Sequence, residues 1–261
     1  WFSNYSYNIA DVAQAGGVSS TYLDEDCWPD LVFVGGSSGG LKAFSNQQGL
    51  SFAPNDAFPY FIDERVTGVA FADIDGDFRR EMFVGNLLSG AVKIMKMNSL
   101  DKYVQVAALP MTRNTYGFAF ADYDRDGWTD VYMAHWDMEG LPGTAPSLWR
   151  NGLGERLLPV DGAAGTAVKY GINQNFHFSP GFADIDGDGW QDLLIAADFG
   201  SSMVLKNTSK DGWRFYTDVS DKAVITDENG MGSAIGDIDN DGRLDWFVTA
   251  IYNPSTMTDE N

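Results

Sequence analysis

Gly181-FADIDGDGWQDLLIAA-Asp198 joins a short glycine-led run, a nine-residue acidic segment and a second apolar run. Three other segments align with its acidic part without gaps: Asp73-IDGDFRR-Glu81, Asp122-YDRDGWT-Asp130 and Asp237-IDNDGRL-Asp245. Each follows a glycine-led run (Gly68-VAFA, Gly117-FAFA, Gly232-SAIG) and precedes an apolar one (Met82-FVGN, Val131-YMAHW, Trp246-FVTAI). A weaker copy lies upstream in Tyr22-LDEDCWP-Asp30. The copies start at 22, 73, 122, 184 and 237, so the spacings are 51, 49, 62 and 53 residues. That period suits a propeller blade and is too long for ankyrin or leucine-rich repeats.

One period reads as four strands. In the fourth repeat these are Ser179–Ala183, Leu193–Ala197, Met203–Asn207 and Trp213–Val219, rich in β-branched and aromatic residues and separated by Gly, Asn, Asp and Ser. No window sustains the 3.6-residue apolar spacing of a substantial helix. A Gly-punctuated strand series also suits a β-sandwich, but the regular self-similarity favours an all-β propeller of four-stranded blades. The acidic loop then joins the first two strands of each blade. The longest spacing contains Asp137-MEGLPGTAPS, which reads as a surface loop. Residues 1–261 are expected to form one propeller domain. Asn8-IADVAQAGGV resembles Tyr216-TDVSDKAVIT, which closes the fourth repeat, so the chain begins as if on the outer strand of a blade. It ends soon after the second strand of the fifth repeat. The expectation is a segment, truncated at its C-terminus, of a ring of about six to eight blades. Pairing with another copy is the alternative.

Composition narrows the function. The chain has 17 Lys plus Arg against 37 Asp plus Glu, a net charge of −20. Such a surface is ill-suited to phosphate backbones or anionic lipid, so neither nucleic acid nor membrane docking is expected. With 44% hydrophobic residues it is too apolar for a disordered acidic tail. No apolar run approaches the ~18 residues of a membrane helix, so no membrane insertion is expected in this segment. The single Cys27 excludes an internal disulfide.

The surplus acid sits in the repeats. Loop positions 1, 3 and 5 place three carboxylates inside a tight turn, position 7 supplies a backbone carbonyl, and the acid at position 9 reaches back from the next strand. Five or more hard oxygen donors around one point is calcium chemistry. Without a cation the carboxylates would repel, so the loops are expected to order around Ca2+. The expected ligand sets are Asp73, Asp75, Asp77, Arg79 and Glu81; Asp122, Asp124, Asp126, Trp128 and Asp130; Asp184, Asp186, Asp188, Trp190 and Asp192; and Asp237, Asp239, Asp241, Arg243 and Asp245. Zinc is disfavoured by the lack of His and Cys, and magnesium by the crowded all-protein cage. An EF-hand would need Glu at position 12, where this chain has Val84, Met133, Ile195 or Val248.

The copies are unequal. Gly127, Gly189 and Gly242 occupy position 6, where a left-handed backbone is expected. The second loop has Phe78 there and Glu81 at position 9, so its geometry is expected to adapt. The first keeps only Asp24, Asp26 and Asp30 in register and is expected to bind weakly or not at all.

This pattern of glycine-led strand, DxDxDGxxD loop and apolar strand resembles the FG-GAP/VCBS repeat, the blade of integrin-α-type propellers. The connecting pieces Leu148-WRNGLGERLLPVDGAAGTAV and Val204-LKNTSKDGWRFYTDVSDKAV are similar to the cartilage-acidic-protein (ASPIC/UnbV-like) branch. The resemblance implies a secreted or cell-surface protein in which calcium, held by the sixteen matching acids, rigidifies loops and is structural rather than catalytic.

Two functions compete. A binding module would present many loops on one rigid ring, with some tryptophans as stacking faces for a protein or carbohydrate ligand, or for self-assembly; most of the tryptophans read as packing between blades. A polysaccharide lyase or hydrolase would need an acid–base pair outside the metal loops. Only His135 and His177, both near strand ends, could line a channel mouth, and ordinary hydrogen bonds are their plainer reading. No nucleophile elbow, P-loop or dinucleotide fingerprint is present. The sequons at Asn4 and Asn207 are compatible with secretion. Cytosolic calcium would rarely fill loops of extracellular-type affinity, so an extracellular, adhesive or scaffolding role is expected.

Overall fold

A computed structural model describes residues 15–24, 26–35, 40–55, 58, 66–86, 91–111, 113–136, 147–160, 176–208, 216–225 and 229–251. Those residues are all-β and contain no helix. The sequon at Asn4, residues 8–14 of the segment 8–18 that resembles an outer strand, the insertion at 137–146 and Trp213 lie outside them, whereas residues 15–18 of that segment belong to the first strand of the first sheet.

The strands form four four-stranded antiparallel sheets and a fifth, two-stranded one, each in simple chain order. The first sheet comprises β1 (Ala15–Thr21), β2 (Asp30–Gly35), β3 (Leu41–Asn46) and β4 (Phe52–Pro54). The second comprises β5 (Val66–Ala72), β6 (Glu81–Asn86), β7 (Val92–Met97) and β8 (Tyr103–Leu109). The third holds β9 (Thr115–Ala121), β10 (Asp130–His135), β11 (Leu148–Asn151) and β12 (Leu157–Pro159). The fourth holds β13 (His177–Ala183), β14 (Asp192–Ala197), β15 (Met203–Asn207) and β16 (Tyr216–Asp218). The fifth pairs β17 (Gly230–Gly236) with β18 (Asp245–Ala250). The expected strands of the fourth repeat are all present; the last is seen over Tyr216–Asp218, residues 213–215 lying outside the described ones.

The repeat extends to the register. The loop in every sheet is closed by the pair formed between the residue before position 1 and the acid at position 9: Thr21 with Asp30, Ala72 with Glu81, Ala121 with Asp130, Ala183 with Asp192 and Gly236 with Asp245. Near its other end each hairpin carries one register shift, at the same place in all five copies.

Sheets stack as blades, and the apolar core lies between them. Side chains alternate along the second strand of each blade, so one strand serves two interfaces. Met82 and Val84 pack with Val32, Val34 and Leu41 of the first sheet, whereas Phe83 packs with Val131 and Met133 of the third. Tyr132 turns the other way, onto Leu193 and Ile195 of the fourth. This explains why β10 and β14 are buried along their whole length and read as unbroken apolar runs.

First strands of successive blades run beside one another. Their backbones come close enough that a Cβ on Gly68 would strike the carbonyl of Tyr116, and one on Gly117 the carbonyl of Phe178. The glycine that opens each apolar run is therefore a close-approach residue at these two positions. Polar bridges reinforce the contact, including Ser19 Oγ to the Val69 carbonyl at 3.1 Å. Gly117→Ala is expected to lower unfolding free energy by about 1–3 kcal/mol through overpacking, measured by urea denaturation. Gly127→Ala is no control for this, because Gly127 has a positive φ; an exposed β8 change such as Gln105→Ala is expected to stay within about 0.5 kcal/mol.

Candidate metal centres

The loop geometry is set first by backbone amides. The carboxylate at position 1 accepts two of them: Asp184 takes the N–H of Gly187 and of Gly189, each at 2.8 Å, and Asp122 those of Asp126 and Gly127 at 3.0 and 2.8 Å. The acid at position 5 accepts the N–H of position 7, as Asp126 does from Trp128 and Asp241 from Arg243. Position 6 is left-handed in all five copies, with φ of 65° at Cys27, 69° at Phe78, 91° at Gly127, 85° at Gly189 and 86° at Gly242. The second loop does not change course to suit Phe78. It holds the same strained backbone and leaves the phenyl ring 96% exposed.

The acid at position 9 is the anchor. Asp30, Asp130 and Asp192 are fully buried at the first rung of the second strand. One oxygen of each accepts the N–H of loop position 2 (Leu23, Tyr123, Ile185) at 2.7–3.1 Å. The other accepts the backbone N–H of an asparagine ending the third strand (Asn46, Asn151, Asn207) at 2.7–2.8 Å. These asparagines escaped the sequence reading. Asn151 Nδ2 donates to Thr129 in its own loop and to Ile74 in the loop of the preceding blade. Asn207 repeats this with Gln191 and Tyr123. One side chain thus ties two acidic loops together. In the second blade Met97 stands at this register and Glu81 Oε1, although buried, has no hydrogen-bond partner.

Four groups of carboxylates converge with ligand atoms within 4.8 Å of one another: Asp73, Asp75 and Glu81; Asp122, Asp124 and Asp130; Asp184, Asp186 and Asp192; Asp237, Asp239 and Asp245. They are positions 1, 3 and 9 of the four strong loops. Position 5 (Asp77, Asp126, Asp188, Asp241) stays outside each group, and among the described residues Asp24, Asp26 and Asp30 form none. Arg79, Trp128, Trp190 and Arg243 are placed at position 7 with their N–H groups on position 5. Burial pushes the Asp130 carboxyl up to about 7 and raises those of Glu81 and Asp192. Desolvated carboxylates of this kind are costly to charge unless a cation faces them. Asp75 Oδ1 and Glu81 Oε1 are buried without hydrogen-bond partners. The donor set, all carboxylate oxygen with no imidazole or thiol, fits a hard divalent cation.

The chain also brings cations of its own. One residue before the end of the third strand, Lys96 pairs with Asp75, with Asp77 at 2.9 Å and with Glu81 at 3.6 Å. Arg150 Nε lies 2.6 Å from Asp124 and its terminal nitrogen 2.6 Å from Asp126. Lys206 pairs with Asp186, and with Asp188 at 3.6 Å. Burial opposes the Lys96 charge, yet its hydrogen bonds to Asp75 and Asp77 and the charge of Glu81 raise it above the ordinary lysine range. The repulsion expected between these carboxylates is thus relieved, in three of the loops, by side chains of the chain itself. The signal was present in the Arg150-Asn151 and Lys206-Asn207 pairs, but only pairing register shows that Lys96 shares their place.

Neighbouring loops also touch. The Trp128 ring packs against Gly76 of the preceding loop and Gly154 of its own blade. Arg125 lies 4.4 Å over the Trp190 ring and donates to the Gly189 carbonyl. Trp149 is buried in the core between the second and third blades. Trp128 and Trp149 are thus packing residues.

The two histidines are buried and take the plainer role of hydrogen-bonded interior residues. His135 Nδ1 is 3.1 Å from Thr115 Oγ1 and His177 Nδ1 is 3.0 Å from the Tyr132 hydroxyl. Burial drives the His177 pKa down to about 3, so it is neutral at physiological pH. Neither imidazole is a surface acid–base group.

The FG-GAP-like repeat family matches residues 23–84 and 184–248, which hold the first and second and the fourth and fifth loops. These stretches are FG-GAP-like repeats, and the third loop, between them, has the same register. A search of curated proteins finds no match. Asn151→Ala removes two buried donations and is expected to lower stability by about 2–3 kcal/mol, measured by chemical denaturation. An equal loss in Asn98→Ala, at a hairpin tip, would remove the special role of the loop-to-loop link.

Proposed function

We propose that the chain is a calcium-stabilised extracellular scaffold whose blades present loops to a protein or carbohydrate partner in adhesion, matrix or assembly. The observation that carries this reading is the fourfold recurrence, at one register, of three converging carboxylates, with the position-9 acid buried in three of the four groups. A recurrent cage of this kind at a blade rim acts on order and stability rather than on turnover. Loop affinities in the extracellular range, about 10⁻⁴–10⁻³ M, would be filled outside the cell and empty within it.

The positions proposed to hold Ca2+ are 1, 3 and 9 of the loops beginning at Asp73, Asp122, Asp184 and Asp237. Positions 5 and 7 complete the sphere. The loop at Tyr22 is proposed as the weak or silent one. The FG-GAP-like match and the blade architecture support a scaffold over an enzyme, as members of such repeat families typically serve interaction. A metal-free reading, with the loops held by internal ion pairs, is favoured by Lys96, Arg150 and Lys206.

Thermal melting separates these readings. Stripping millimolar calcium with excess chelator is expected to lower Tm by about 5 °C or more, since several weak sites each add stability by mass action. Unchanged melting would overturn the calcium reading and leave the ion-pair one. The partner is tested by screening glycans and matrix proteins with and without chelator, where binding lost on chelation supports the scaffold and polysaccharide cleavage contradicts it.

A further inference from the structure

Three of the four complete blades carry a cation at one register of the third strand, and the fourth carries Ser45 there. The division follows the acidic loops. Lys96, Arg150 and Lys206 belong to blades whose loops bring positions 1, 3 and 9 together, whereas the loop in the Ser45 blade forms no such group among the described residues. Surface lysines placed only for solubility would not track carboxylate convergence.

In each case the cation engages the position-3 carboxylate, which is also a member of the converging group: Asp75, Asp124 and Asp186. It also takes position 5, the acid left outside that group. The cage therefore has a shared wall. A divalent ion must sit about 2.3–2.6 Å from the oxygens that bind it, and a second positive charge held by the same carboxylate repels it. The second blade shows the unused capacity. Asp75 Oδ1 and Glu81 Oε1 remain buried without hydrogen-bond partners even with the Lys96 ammonium seated, and Glu81 is only 2% exposed.

We infer that Lys96, Arg150 and Lys206 are tethered counter-ions that close the acidic loops in the absence of metal and must swing out for a divalent cation to enter. They set the affinity of their own loops low and keep the metal-free blade ordered. This rests on the calcium reading above. Their side chains are 26%, 38% and 33% exposed, so each head group has a path to solvent. The tether makes cation entry an exchange of one charge for another.

The test titrates Ca2+ alone into chelator-treated protein by calorimetry, comparing wild type with Lys96→Met, Lys206→Met, Lys96→Arg and Lys102→Met. Lys96→Met and Lys206→Met are each expected to tighten one site about three- to tenfold and to lower the metal-free Tm. Lys96→Arg, a side chain that Arg150 shows to suit this register, is expected to stay within about twofold of wild type. Lys102→Met makes the same charge change at an exposed hairpin position and is expected to alter neither quantity. Equal affinity in wild type and both methionine variants overturns the inference while leaving the calcium reading intact. Equal tightening by Lys102→Met overturns it too, by reducing the effect to net charge. Absence of binding in wild type and in every variant overturns the calcium reading and the inference together. Should Lys96→Met fail to fold, Lys206→Met on a separate blade decides alone.

Discussion

Asp130 stands on the first rung of β10, fully buried, with one oxygen on the amide of Tyr123 and the other on the amide of Asn151. The same clamp recurs at Asp30 and Asp192. Through it a single carboxylate joins the acidic loop, the second strand and the third strand of a blade. Its geometry requires that the loop close at one register, and that register then brings positions 1 and 3 beside it. The asparagine that donates to the clamp reaches on to the preceding loop, so an intrablade contact becomes an interblade one. Burying the acid raises its proton affinity, which is the electrostatic demand that a nearby cation answers.

That demand is met in the structure by the chain's own side chains, and under the proposed calcium reading by a divalent ion as well. The chain's own Lys and Arg heads are always present at high effective concentration, because a third strand holds them beside the loop. A divalent ion would carry more charge per site, but its occupancy would depend on its free concentration. Four calcium ions would reduce the formal charge from −20 to −12. On that reading the net charge would depend on conditions as well as on composition.

Much of this was legible in the chain itself. Five acidic copies at blade-sized intervals, flanked by a glycine-led and an apolar run, were enough for an all-β blade architecture and for loops between first and second strands. The left-handed demand at position 6 followed from Gly127, Gly189 and Gly242, and Phe78 and Cys27 obey it without being glycine. Three things were hidden. The role of position 9 as an amide clamp could not be told from a ligand role, because both need a carboxylate at the same place. The linking role of Asn151 and Asn207 carried no sequence signal, since their interblade partners lie 77 and 84 residues away in chain order. Lys96 was invisible as the partner of Arg150 and Lys206, because unequal hairpin lengths separate them from their loops and only strand pairing aligns them.

Whether the four carboxylate groups are cation seats, three of them shared with tethered side chains, is read from a crystal structure grown with calcium. Anomalous density is expected in the groups at Asp73, Asp122, Asp184 and Asp237, at about 2.3–2.6 Å from carboxylate oxygens, with the Lys96, Arg150 and Lys206 head groups turned out to solvent. Calcium-grown crystals with no density in those groups and all three cations still seated on Asp75, Asp124 and Asp186 would contradict that expectation.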